Sequence, residues 1–180
     1  GITPYLQHRM DDQKLEEWEK NRKLIIERDD VAKEDAMRAE FHAYRDEEGF
    51  YIPADHIRGA LIGGGAMLKS KVGNSKRSMK NVVAAMFFID EDKLRLPKEY
   101  QIDKRSAVNK NIKARVITIR PRWDKWGAKF TLLIDNDTLT TQTIREVIEN
   151  AGNFVGCGSF RPTNGGSFGR FRLKDIKPVS

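Results

Sequence analysis

Hydrophobic positions along the chain fall into four helical stretches and a set of shorter alternating ones. Residues 12–43 put Leu15, Trp18, Arg22 and Ile25 on one face at spacings of three and four, followed by Ala36, Met37 and Phe41. Charge pairs such as Glu16–Lys20 and Glu19–Lys23 suit an exposed helix stabilised by i,i+4 contacts. This stretch is either a long packed helix, with a break near Asp29-Asp30, or an arm that contacts another subunit. A second helix is predicted over residues 55–70, with Ile57, Ala60, Leu61, Gly64, Met67 and Leu68 as its buried stripe. It carries Gly59, Gly63, Gly64 and Gly65. Each interior glycine costs roughly 1 kcal/mol relative to alanine, so a neighbour must come close enough to need the missing side chains. A third helical stretch, 76–86, leads into a strand at Phe87-Phe88-Ile89.

From residue 94 the pattern turns to strands. Leu94-Arg95-Leu96-Pro97 and Ile102-Asp103 read as short strands or loop. Residues 112–120 alternate well and, across a turn at 121–127, are expected to pair with 128–134 as a hairpin. Thr140 or Thr141 caps a helix running to Asn150, with Ile144, Val147, Ile148 and Ala151 inward and Gly152 as its stop. Phe154-Val155 and residues 168–176 then make a strand–loop–strand. The order from 112 is β–β–α–β–β. It predicts an α+β fold, most economically a ferredoxin-like or RRM-like antiparallel sheet with helices on one face, in a single domain over 1–180. The helical segment 12–43 precedes a core over 50–180, which includes a glycine-rich loop at 156–169.

That loop carries the chemistry. Five of the chain's 14 glycines (Gly156, Gly158, Gly165, Gly166 and Gly169) fall within it, interleaved with Phe160, Phe168, Arg161 and Arg170 and followed by Phe171 and Arg172. Glycine admits positive φ and close approach, arginine offers planar forks for phosphate, and aromatic rings offer faces for bases. A glycine-rich hairpin with core phenylalanines and solvated arginines would look the same.

Charge sharpens the picture. The net charge is +7, yet residues 1–50 hold nine basic and 14 acidic residues, and residues 51–180 hold 24 and 12. Lys69, Lys71, Lys76, Arg77 and Lys80 form one basic run without an acid, and eight basic residues against Asp124 alone lie between Lys104 and Trp126. A surface gathering these would bind a long polyanion, and nucleic-acid backbones are the commonest. Trp123 and Trp126, flanked by Arg120, Arg122, Lys125 and Lys129, suit base stacking if exposed, and close the core if not.

Other classes are less well supported. His8, His42 and His56 could each serve as a general base, with His56 best placed beside Arg58 at the start of the glycine-rich helix. The loop lacks the Gly-Lys-Ser/Thr of a Walker A motif, and no cofactor is called for. Three histidines and a lone cysteine, widely scattered, match no structural zinc spacing. Cys157 is the only cysteine, which points to a reducing cytoplasm. No apolar run approaches the roughly 20 residues of a membrane helix, so no membrane partner is expected. The chain opens Gly1-Ile2-Thr3-Pro4-Tyr5, neither a signal peptide nor an initiator methionine, leaving room for a native first segment such as a strand.

Two stretches carry a family resemblance. Tyr51-Ile52-Pro53-Ala54-Asp55-His56-Ile57-Arg58-Gly59-Ala60-Leu61 is similar to the segment opening the first core helix of the RAMP superfamily, the ferredoxin-like proteins that include CRISPR effector backbone subunits. Gly156-Cys157-Gly158 and Gly165-Gly166-Ser167-Phe168-Gly169-Arg170-Phe171 resemble that family's C-terminal glycine loop. The chain as a whole resembles phage and prophage proteins in which Thr3-Pro4-Tyr5-Leu6, Arg120-Pro121-Arg122-Trp123 and Gly156-Cys157-Gly158-Ser159-Phe160-Arg161-Pro162 recur in order. The resemblance implies single-stranded nucleic-acid binding, often RNA, by subunits able to line up along the strand; the function expected is a non-catalytic binder of single-stranded RNA or DNA, in a homo-oligomer or larger nucleoprotein complex. Arg58 and Gly59 match the helix-opening motif, and the five loop glycines match the loop. Asp55 departs from the family's serine, and no thumb-sized insertion is evident. Two alternatives remain: an assembly factor that oligomerises through the acidic N-terminal helix, and an endoribonuclease of the same superfamily acting through His56.

Overall fold

The computed structural model describes residues 1–9, 31–72, 75–109, 114–135 and 139–178. Most of the expected 12–43 helix lies outside the described residues. Its end is helix α1, Val31–Phe41, with Ala39 buried. Mixed helices and antiparallel sheets make up the rest, and every pairing among the described residues is antiparallel. No described helix is long and apolar enough to cross a membrane.

The central sheet is three-stranded, ordered β1 (Tyr5–Leu6), β9 (Ala114–Trp123), β8 (Gln101–Asn109). Tyr5 stands opposite Trp123, and β8 and β9 form a long hairpin in which Asp103 faces Arg120 and Arg105 faces Thr118. The alternation over 112–120 therefore marks a strand, but its partner is β8 rather than residues 128–134. Those residues contribute β10, Leu132–Ile134, which pairs with β6, Phe87–Ile89. Pro121 is accommodated within β9, beside β1 and β8.

A second small sheet joins β2 (Arg45–Asp46), β3 (Gly49–Pro53) and β7 (Lys93–Arg95). From β3 the chain enters α2, Ala54–Ala66, whose Ile57, Ala60, Leu61 and Gly64 are buried as predicted. Met67 is not; it caps the helix and stays exposed. The close neighbours demanded by the glycines are real for Gly63, Gly64 and Gly65, whereas Gly59 is exposed with open space around it. A Cβ on Gly64 would overlap the Val147 carbonyl of α4 (Thr141–Asn150), and one on Gly65 would overlap Val83 of α3 (Lys80–Met86). Thr140 caps α4 by accepting from the Thr143 amide at 3.2 Å.

Three further expectations are corrected. Residues 76–79 are not helical: β4 (Lys69–Val72) and β5 (Ser75–Ser78) form a hairpin, with Lys71 opposite Lys76 in its register. Phe154-Val155 is not a strand. After Asn150 the chain widens into a π-turn, Ala151–Val155, which ends at Gly156 with φ of +69°. Residues 168–176 form no regular strand. Their first part nevertheless runs beside the N-terminus, where Gly169 N–H donates to the Pro4 carbonyl at 2.8 Å and Ile2 N–H to the Arg170 carbonyl at 2.7 Å.

The core gathers the rings of Tyr5, Trp123, Trp126, Phe50 and Tyr100 with buried side chains of α2, α3 and α4 in one cluster. Trp123 is 1 % exposed and donates its indole N–H to the Pro97 carbonyl. Trp126 is 9 % exposed and donates to the Thr3 carbonyl. Both tryptophans close the core, and neither presents a face to a base. A buried indole must place its N–H on a partner, and both find a carbonyl.

Candidate nucleic-acid interface

The glycine loop folds tightly across the end of β1. Ser159 N–H donates to the Leu6 carbonyl at 2.8 Å and Cys157 N–H to the Gly169 carbonyl at 3.0 Å. A Cβ on Gly169 would fall inside the Cys157 carbonyl oxygen, and Gly169 also sits at φ of +68°. Gly156 and Gly169 are buried, Gly158 is packed on Tyr5 and Gly166 on the Phe160 carbonyl. Most of these glycines thus serve the fold by letting backbones touch. Gly165 alone among the loop glycines has open space around it. Cys157 is sealed in, and burial pushes its thiol up to about 12, so it is inert at neutral pH.

This folding brings Phe160 to the surface. It is 43 % exposed and is the one positive-φ residue other than glycine among the described residues, at +53°. A bulky residue in that region is strained and persists only where its surroundings fix it. The fixing bonds are backbone ones: Phe168 N–H donates to the Phe160 carbonyl at 3.1 Å, and Gly166 N–H to the Arg161 carbonyl at 3.0 Å. Phe168 lies 6.1 Å away between ring centroids, and the Arg105 guanidinium sits 4.7 Å over Phe168 and 6.0 Å from Phe160. Two rings and a guanidinium plane thus meet at the edge of a cationic sheet face.

That face follows from the β8–β9 register, which puts Asp103, Arg105, Arg120 and Arg122 on one side. Asp103, 3 % exposed, is gripped by Arg105 and approached by Arg120 at 3.8 Å and Arg122 at 3.9 Å. Arg122 also pairs with Asp124 at 2.8 Å. Three guanidiniums share two carboxylates, so positive charge remains. Arg120 is largely buried and donates to Ser159 Oγ at 2.9 Å, tying the sheet to the loop.

Other predicted residues divide. Arg161 is half-buried and donates to the Gly158 carbonyl and Thr163 Oγ1; no carboxylate among the described residues pairs with it. Arg170 is half-buried, and its Nε has no hydrogen-bond partner there. Lys69 and Arg77 are exposed on the β4–β5 hairpin, which also carries Lys71 and Lys76. Arg58 turns inward instead, donating to the Phe87 and Ala84 carbonyls at 3.2 and 2.6 Å, where it caps α3. His56 lies between Tyr44, edge-on at 5.2 Å, and the Tyr5 hydroxyl at 3.5 Å; burial, and then the Arg161 charge, lower its pKa.

Sequence reading offered both the loop phenylalanines and the tryptophans as stacking faces; the tryptophans are buried, Phe160 and Phe168 stay at the surface, and Arg105 beside them was not singled out. The signal was local: phenylalanines set among glycines have no periodic face to bury. Comparison with protein-family models, curated proteins and solved structures gave no match for this chain.

Proposed function

We propose that the protein is a non-catalytic binder of single-stranded nucleic acid, RNA or DNA. Phe160 and Phe168 stack bases, and Arg105, Arg161, Lys69 and Arg77 hold phosphates. The observation that carries this reading is Phe160, an exposed aromatic held in a strained conformation beside a second ring and a guanidinium. Folding gains little net from such a ring, because its burial is offset by strain, whereas a base gains a flat partner flanked by cations.

The strand order supports a ferredoxin-like core. Residues 168–170 lie beside β1, β1 beside β9, and β9 beside β8, which is the 4-1-3-2 order of that fold, with α2 and α4 as its helices and β2–β7 inserted. In this reading the protein is a RAMP-like, phage-type subunit working in the cytoplasm, alone or along a strand as an oligomer.

The test is fluorescence anisotropy with labelled single-stranded RNA and DNA. With about four phosphate contacts, raising salt from about 50 to 200 mM should weaken binding roughly 50-fold. Absence of binding at low salt would overturn the proposal.

A further inference from the structure

Beside the platform lies a cluster that stacking does not use. His8 follows β1 and His42 follows α1, and their imidazoles stack at 4.4 Å with an interplanar angle of 15°. Backbone bonds fix them: Arg9 N–H donates to the His42 carbonyl at 3.0 Å, and His42 Nδ1 stands 3.0 Å from the Arg9 carbonyl. A carbonyl can only accept, so His42 carries its proton on Nδ1 and bears a lone pair on Nε2. Phe41 covers one edge of the His42 ring, whereas His8 is partly open to solvent. The charged groups facing the pair are mostly cationic. Arg38 on α1 has Glu34 at 3.9 Å, Arg9 lies over Tyr44, and Arg120 reaches across from β9. Asp103 is the acid on the β8 side, and it is already shared among three guanidiniums. Arg120 Nε is buried without a hydrogen-bond partner.

Resting on the binding reading above, we propose that His8, His42 and Arg120 form a proton-linked subsite for a phosphate of the bound single strand. Arg120 bonds Ser159, the residue next to Phe160, and its charge acts on both imidazoles, so it links the loop that carries the platform to the histidine pair. Neutral His42 offers that phosphate a lone pair, which repels it. One proton taken from solvent onto an imidazole converts that acceptor into a donor and adds a charge opposite the phosphate. Without an anion, desolvation and then the neighbouring charges (His42 and Arg120 for His8; Arg120 and Arg38 for His42) favour the neutral form of each ring, although the Arg9 carbonyl favours the charged form of His42. Binding and protonation therefore favour each other, and each raises the other by the same factor.

The probe is an oligothymidylate of about twelve nucleotides, titrated at fixed salt between about pH 7.5 and 5. Uptake of one proton tightens binding by up to about tenfold per pH unit across the window where the bound rings are charged and the free ones are not. His8→Gln, which leaves the His42–Arg9 bond intact, should flatten most of this dependence. Flat affinity in the parent, or unchanged pH dependence in folded His8→Gln and His42→Gln proteins, overturns the subsite. In that case, loss of binding in Phe160→Gly still upholds the platform. If no oligothymidylate binds at any pH, both proposals fall.

Discussion

Replacing Phe160 with glycine separates a ring kept for folding from one kept for binding. The ring is 43 % exposed, so it buries a little over half its surface; removing it loses about 1 kcal/mol of apolar burial and a similar amount of contact with Phe168 and Arg105. Against this, relieving a φ of +53° returns about 1–2 kcal/mol, since glycine accepts that conformation without strain. The two effects nearly cancel. The variant's stability should lie within about 2 kcal/mol of the parent, a shift of no more than about 8 °C in melting temperature. Binding has no such compensation. Loss of one stacked base costs about 1–3 kcal/mol, which weakens a single-stranded oligonucleotide by about 5- to 150-fold. Phe160→Asn should behave alike, because asparagine tolerates the left-handed region yet offers no ring. Differential scanning fluorimetry and anisotropy on the same preparations give both numbers. A folded Phe160→Gly protein with parental affinity would refute the platform, and a collapse in melting temperature would show that the ring is structural.

Other outcomes follow from the same geometry. Gly169→Ala should destabilise by at least about 3 kcal/mol, since its Cβ meets the Cys157 carbonyl, whereas Gly165→Ala, with open space around it, should cost only the roughly 1–2 kcal/mol of its positive φ; urea denaturation compares them. Trp126→Ala should cost about 3–5 kcal/mol of stability, and a near-neutral result would return that indole to the surface. His8, His42 and His56 all have lowered pKa values, burial being the largest cause for each. The unfolded chain therefore binds more protons below pH 6.5, and stability should fall as pH drops from there toward the folded values, about 4 for His8. Equal urea midpoints at about pH 7 and 5 would contradict this. Arg161→Ala should weaken RNA and DNA alike and make the salt slope shallower by about one, as expected of a phosphate contact.

Much of this was legible in the sequence, in proportion to how local the cause is. Thr140 and the amphipathic 140–150 segment specify α4 by capping and period, and the glycines of α2 announce a close helix neighbour before that neighbour is known. Partner choice between strands is not local. Residues 114–123 alternate correctly, but nothing in their own pattern selects β8 over 128–134. The hairpin at 69–78 was hidden because lysine and serine suit a helix surface as readily as a strand; the overlooked sign was Gly73-Asn74 between the two arms. Within the site, the residue types were readable, but exposure was not. Trp123 and Phe160 both sit among arginines in sequence, and only the paired strands Tyr5–Leu6 and Ala114–Trp123 decide that the first turns inward while the loop throws the second out.

Photocrosslinking tests the stacking assignment most directly: a single-stranded oligonucleotide carrying 5-iodouracil is irradiated on the protein, and the adduct is mapped by mass spectrometry. Adducts at Phe160 or Phe168 are expected, and they should disappear in Phe160→Gly/Phe168→Ala. Adducts confined to a surface distant from Arg105, or full crosslinking in that double variant, would place the strand elsewhere.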